Sequence, residues 1–587
     1  MSLAGVLANP LTPLGRWLGR RLWWIEHAFK RARASGKAVD DTRLRIFFVL
    51  VLFATGFVAL GLGATKAALF SPYGEGVEPV TEPPGARADL VDRNGQFLAL
   101  DLVRYGLYLD PREMVQKPRV RAALLAAVPG LAPAKLDRIL AGERQEFLVG
   151  GLTPEARNYV HDLGLPCVSF EEESGRAYPL GELGAHLIGF ASKDGAGLAG
   201  AEKAFDGAIR AGAGKAPVAL SIDLRVQGAL EDELDRAAEA FGAIGAVGMV
   251  VKVRTGEVLG MASWPSFDPN QAGQADPAAM VNHAAATVYE PGSVMKVFTL
   301  AMGLDSGVAT PQTVFDVRTP LALPGQTIHD FDKGDASLPL WEVFTHSSNI
   351  GAARLGLLAG ADRMRSYYRA FGLFDAAPSE LAESARPILS RALTPNIVAS
   401  MSFGHAISVS PLAIATGMSA VLNGGMYRPL TFRPLAPGQA PAPGHQVIRA
   451  STSRTMLNLM RLNVTNGTGG KANIPGLRVG GKTGTATKLV NGHYAEGKNA
   501  ANLASFAAVF PTDGALSDDR YFVLIMLDQP KPVAADSGVT TGGFTAAPTA
   551  GRVIERIAPI LGVRRVMLPT DLTPKAPDLA ALTGDER

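Results

Sequence analysis

The sequence predicts an α+β protein of several domains attached to one membrane-spanning helix. Three observations carry that expectation. The chain has 587 residues, 47% of them hydrophobic and 19% charged, enough to bury at least one large core and to fold as two or three domains. An uncharged run over 46–64 follows a strongly basic stretch. Beyond it, boxes of small and polar residues fall at two helix starts and at a strand, so helices and strands contribute to one region.

The N-terminal segment, 1–45, carries Arg16, Arg20, Arg21, Lys30, Arg31, Arg33, Lys37, Arg43 and Arg45 ahead of that run. At about 1.5 Å per residue the run 46–64 reaches roughly 28 Å, close to the hydrocarbon thickness of a bilayer. A buried core helix would show flanking polar periodicity, and a cleaved signal peptide would start nearer Met1. By the positive-inside rule the basic segment is cytoplasmic and everything after Lys66 is exported. Within 1–45, Leu14, Trp17, Leu18, Leu22, Ile25 and Phe29 recur at helical spacing among the arginines, beside Trp23 and Trp24. Such a helix can lie on anionic membrane lipid, or it can be a contact helix for a cytoplasmic protein; both remain open.

Punctuation divides the rest. The stretch 65–85 is a linker, rich in Pro, Gly and Glu over 71–84. Segment 86–216 mixes short strands with helical stretches such as 118–127 and holds no catalytic box. Ala211-Gly212-Ala213-Gly214, followed by Lys215-Ala216-Pro217, reads as a flexible joint, which puts a boundary near Pro217. A second domain fills 217–565, with the low-complexity stretch 434–445 as a surface loop and 566–587 as a poorly ordered tail.

Composition excludes some functions. Lys plus Arg number 57 against 54 Asp plus Glu, a net charge of +3, so nothing global favours nucleic acid. The single cysteine, Cys167, excludes an internal disulfide framework and a cysteine-based metal site, and is expected in a core.

The chemistry sits in three boxes. In Ser293-Val294-Met295-Lys296, after Glu290-Pro291-Gly292, a helix over 294–304 would place Lys296 one turn below Ser293. A lysine kept neutral by burial can take the serine proton during attack on a carbonyl. Ser347-Ser348-Asn349 opens a second helical pattern over 350–359, and Lys482-Thr483-Gly484-Thr485 follows an expected strand end over 477–481. One pocket built from two helix starts and a strand suits acyl transfer.

The three boxes, in this order, resemble those of the serine penicillin-binding enzymes. Further stretches are similar to the class B members: Arg87-Ala88-Asp89-Leu90-Val91-Asp92-Arg93-Asn94-Gly95, Arg176-Ala177-Tyr178-Pro179, Gly197-Leu198-Ala199-Gly200-Ala201-Glu202 and Pro265-Ser266-Phe267-Asp268-Pro269-Asn270. Asn349, Lys-Thr-Gly-Thr-Ala and Ser402-Phe403-Gly404-His405 look more like the septal division branch, the FtsI family, than the elongation branch. Ala88, Asp89 and Tyr289 depart mildly from the family text. The resemblance implies a noncatalytic, dimerisation-like pedestal over 86–216. It implies over 217–565 the penicillin-binding transpeptidase fold, an antiparallel sheet flanked by helices with a helical subdomain.

It also implies the roles. Ser293 would attack the penultimate D-alanine carbonyl of a peptidoglycan stem peptide, with Lys296 as base. Ser347 would pass a proton to the leaving nitrogen, Asn349 would hold Lys296 and the substrate amide, and Lys482 would supply positive potential. Thr483 and Thr485 would bind the donor carboxylate, and Gly484 would let the ligand approach the strand. Backbone N–H groups of Ser293 and Thr485 would form the oxyanion hole. An amine of a second stem then takes the acyl group. β-Lactams would acylate Ser293, no cofactor or metal is required, and the implied membrane partner is a SEDS-type glycosyltransferase, FtsW, with other divisome proteins. His405 is expected to pack or hydrogen-bond, and Asp528 to end a strand. No Glu-x-x-Leu-Asn stretch lies between the second and third boxes, so the acyl-enzyme should hydrolyse slowly. The rivals are an elongation transpeptidase and a membrane β-lactam sensor, the latter expected to lack a substantial pedestal.

Overall fold

The computed structural model describes 48–61 and most of 86–567, with scattered positions between 20 and 46; 62–85, 115, 332–336, 491, 492, 495–500, 533–538 and 568–587 lie outside the described residues. The chain forms two compact units, Met1–Thr81 and Glu82–Arg587. In the first, 48–61 is helical and Leu50, Leu52, Phe57 and Leu60 are exposed. Among the described residues no helix is long and apolar enough to cross a membrane. Positions 47 and 62–64 of the expected span lie outside the described residues, as do Leu14, Trp17, Leu18, Leu22 and Phe29 of the expected amphipathic helix, the linker up to 85 and the tail from 568.

The second unit begins with β1 (Leu90–Val91) and β2 (Phe97–Leu109), joined by a turn in which the Asp92 carboxylate accepts from Asn94 N at 2.7 Å and Gln96 N at 2.9 Å. Then come α1 (Lys117–Ala127), α2 (Pro133–Leu140), β3 (Glu146–Leu152), α3 (Pro154–Asp162), β4 (Val168–Ala177) and β5 (Val218–Ala219). Each of the three helices carries proline in its first turn, where the missing N–H costs nothing. Both β3 and β4 pair antiparallel with β2, and Leu107, Val120, Leu136, Val160 and Cys167 form the core beneath. Three of the family-like stretches meet through Arg87, Arg176 and Glu202: both guanidinium groups reach the Glu202 carboxylate at 2.6 Å, with all three side chains buried. Charges out of water need such partners.

The segment expected to be a flexible joint turns on itself, Lys215 N and Ala216 N donating to Gly212 O at 3.0 and 3.3 Å, and leads directly into a paired strand. Val218 N donates to Asp89 O and Leu220 N to Val91 O, each at 2.8 Å, so β5 closes the N-terminal sheet in parallel with β1.

The catalytic region follows as α4 (Leu224–Ala240), β6 (Gly245–Lys252), β7 (Glu257–Trp264), α5 (Lys296–Asp305), α6 (Asn349–Ala359), α7 (Pro395–Met401), α8 (Pro411–Leu422), α9 (Ala450–Asn466), β8 (Gly480–Thr487), β9 (Asn502–Phe510), β10 (Tyr521–Asp528) and α10 (Ala546–Ile557). The five strands form one antiparallel sheet in the order β8-β9-β10-β6-β7. Strand β10 alternates strictly: Val523 and Ile525 pack with Leu230 and Val553 of α4 and α10, while Phe522, Leu524 and Met526 join the core of α5, α8 and α9. A sheet covered on both faces reads as a continuous apolar run, which β10 is. Asp528 is its last residue.

Candidate active site

Ser293 lies on a 3-10 turn, Gly292–Met295, and α5 starts at Lys296. The expected helix over 294–304 is therefore wound more tightly at its start. The reason is local: Gly292 has φ +54° and its Cα faces β8, so a side chain there would meet Thr485 O at 2.8 Å. Only glycine permits both. Gly404, at φ +90°, backs the same turn, and an added Cβ would strike the Gly292 backbone.

The second box is also split. Ser348 is the N-cap of α6, its Oγ accepting from Gly351 N at 2.9 Å, and Asn349 is the first helical residue. Ser347 precedes the helix at φ +60°, a conformation uncommon for a residue with a side chain and one that clusters at functional sites. The third box corrects the expectation of a strand end: Lys482, Thr483, Gly484 and Thr485 lie inside β8, which continues to Thr487. Glycines 480 and 481 pack against α9 and Phe506 rather than stopping the strand. Gly484 abuts Val294 and Pro291, where an added Cβ would come within 3.0 Å of Pro291 O.

These elements bring the polar groups together. Lys296 Nζ donates to Ser293 Oγ at 2.9 Å, Asn349 Oδ1 at 2.8 Å, Ser347 O at 2.5 Å and Ser347 Oγ at 3.1 Å. Lys482 Nζ donates to Ser347 Oγ at 2.9 Å and Thr483 O at 3.1 Å, beside the Phe344 ring. Both lysines are fully buried. Burial first, then the Lys482 cation, holds Lys296 well below the ordinary lysine value, while the Asp330 carboxylate pulls the other way. Burial brings Lys482 down to about 7. Once deprotonated, Lys296 would have a lone pair for the Ser293 proton along the same 2.9 Å contact.

The hydroxyls of the third box are held in place. Thr483 Oγ1 lies 2.7 Å from Thr468 Oγ1, and Thr485 Oγ1 accepts from Gly542 N at 3.1 Å. His405 stands beside Glu290, Nδ1 to Oε2 3.6 Å, and packs on Phe403. Burial lowers its ring to about 4, so the contact involves a neutral imidazole rather than an ion pair.

Asp330 and Asn463 went unrecognised in the sequence. The Asp330 carboxylate accepts from Asn349 N, Ile350 N and Ser348 Oγ at 2.5, 2.9 and 2.6 Å. Asn463, buried on α9, donates to Gly481 O at 2.8 Å. Neither sits in a recognisable box. The Thr541-Gly542-Gly543 run, a backbone closely approaching β8, was a visible signal for Gly542.

A buried lysine on a serine, with a second lysine and a serine hydroxyl between them, defines a serine acyl-transfer site of the Ser-x-x-Lys type. The family model for the penicillin binding protein transpeptidase domain matches 246–555, and that for the penicillin-binding protein dimerisation domain matches 82–232. A Caulobacter vibrioides protein, "Probable peptidoglycan D,D-transpeptidase FtsI", is 52% identical over 94% of this chain and 95% of its own length. "Peptidoglycan D,D-transpeptidase FtsI" of Escherichia coli K12 is 30% identical over 80% of this chain and 82% of its own. A crystal structure from Atopobium parvulum, described as a peptidoglycan glycosyltransferase, superposes with TM-score 0.63 over 82% of this chain and 99% of its own at 24% identity, a likeness of fold alone. The chain belongs to the class B penicillin-binding proteins, in the FtsI family.

Proposed function

We propose that the chain is a peptidoglycan D,D-transpeptidase of septal wall synthesis, anchored in the inner membrane by 46–64 with its catalytic region in the periplasm. The observation that carries the chemistry is the 2.9 Å contact from Lys296 Nζ to Ser293 Oγ in a site where burial holds the amine well below the ordinary lysine value. Ser293 Oγ attacks the penultimate D-alanine carbonyl, and its proton passes to Lys296. The N–H groups of Ser293 and Thr485 hold the oxyanion, each worth about 3 to 4 kcal/mol. Ser347, hydrogen-bonded to both lysines, relays the proton to the leaving nitrogen, and the terminal D-alanine departs. The acceptor amine then attacks the ester carbonyl; its proton returns to Ser293 Oγ through Lys296. Lys482, Thr483 and Thr485 receive the donor carboxylate, and Asn349 orients Lys296.

The deciding experiment is labelling of the full chain by a fluorescent penicillin. Wild type should be labelled and Ser293→Ala should not; labelling of the variant would overturn the assignment. The septal role, with FtsW and other divisome proteins as partners, rests on the kinship with FtsI. Depletion should give filaments, and rounded cells would favour the elongation branch.

A further inference from the structure

We propose that Asp330 is a positioning residue of this acyl-transfer site: its carboxylate sets the second box in place against Lys296. It ends the hairpin of Leu321–Leu323 and Gln326–Ile328, which is tied to α7 by Gln326 Nε2 on Ser400 Oγ at 2.8 Å and by Asn396 Nδ2 on Pro324 O at 2.7 Å. From that anchor its carboxylate grips Ser348, Asn349 and Ile350 at the N-terminus of α6. An anion is favoured at a helix N-terminus, where N–H groups lack partners.

Two consequences converge on Lys296. First, the grip bounds the chain on the far side of Ser347, whose carbonyl and hydroxyl both touch Lys296 Nζ while φ stays at +60°. The neighbouring His329 O accepts from Asn349 Nδ2 at 3.2 Å, which turns Oδ1 toward Lys296. Second, among the described residues the charges acting on Lys296 are Lys482 on β8 and Asp330, with neutral His405 and its neighbour Glu290 in the loop after α7 and before Ser293. Of these, Asp330 alone stabilises the cation, opposing burial and Lys482. Asp330 thus raises the proton affinity of Lys296, which burial and Lys482 lower.

The inference rests on Lys296 as the base of the proposed transpeptidase, a reading that Ser293→Ala labelling tests independently. The test here is the pH profile of acylation by fluorescent penicillin for the full chain and for Asp330→Asn and Asp330→Glu. Removing the anion should move the acid limb of Asp330→Asn to lower pH and cut the rate about tenfold, as expected for one lost charge-assisted hydrogen bond. Asp330→Glu keeps the charge, so its acid limb should stay at the wild-type position even if its rate is lower. A wild-type rate in Asp330→Asn, or the same loss at every pH with the limb unmoved, would overturn the proposal. Should Asp330→Asn fail to fold, a shifted limb in Asp330→Glu would overturn it.

Discussion

Lys296 and Lys482 donate to one oxygen, the Ser347 hydroxyl, at 3.1 and 2.9 Å. Two ammonium groups so close and so deeply buried could not both keep their protons at the ordinary lysine value. The shared hydroxyl gives the released proton a path between the two boxes, and it explains why a serine in a left-handed conformation stands between them.

Stability should depend on pH through the second lysine. Lys482 titrates at about 7 when folded and near 10.5 when unfolded. Between those values the unfolded chain binds a proton that the native one does not, so stability rises with pH across this window. The penalty is fully present below about 7, and is on the order of a few kcal/mol. Lys482→Met should flatten the slope of unfolding free energy against pH, leaving the part due to Lys296. Denaturant titrations at several alkaline pH values would measure it.

The penicillin adduct should be long-lived. The sequence has no carboxylate base of the Glu-x-x-Leu-Asn kind to activate water against the ester. Intact-mass measurement after removing free penicillin should show the adduct persisting for hours, and prompt recovery of free enzyme would refute this.

Gly404→Ala should silence acylation. The added Cβ would strike Gly292 backbone beside the nucleophile, at φ +90° where alanine is itself strained. We expect about 1 to 3 kcal/mol of destabilisation and labelling reduced far more than melting behaviour would suggest.

Asn463→Ala removes the amide that satisfies Gly481 O next to Lys482. An orphaned buried carbonyl costs about 1 to 3 kcal/mol. The denaturant midpoint should fall with an unchanged m value, and labelling should slow because β8 loses its tether to α9.

Much of the site was legible because its chemistry is written in local text. Ser293 and Lys296 are three residues apart on one turn, and the order of the boxes identifies the family. The strand end expected before Lys482 was misplaced because glycines 480 and 481, turn signals in isolation, here admit α9 and Phe506 against the strand. Asp330 and Asn463 were illegible for a different reason. Each acts on a partner 18 to 20 residues away through a contact that no periodicity encodes.

The sequence by itself determined which groups could react, their order, the apolar run before them and the family, since these depend on residue types and short spacings. The tertiary structure decided how tightly those groups hold their protons. Lys296 is held well below the ordinary lysine value because α5, α6 and β8 close around it and exclude water, and because Lys482, 135 residues beyond Ser347, reaches the same hydroxyl. Desolvation belongs to a packed volume, and only the folded chain encloses one.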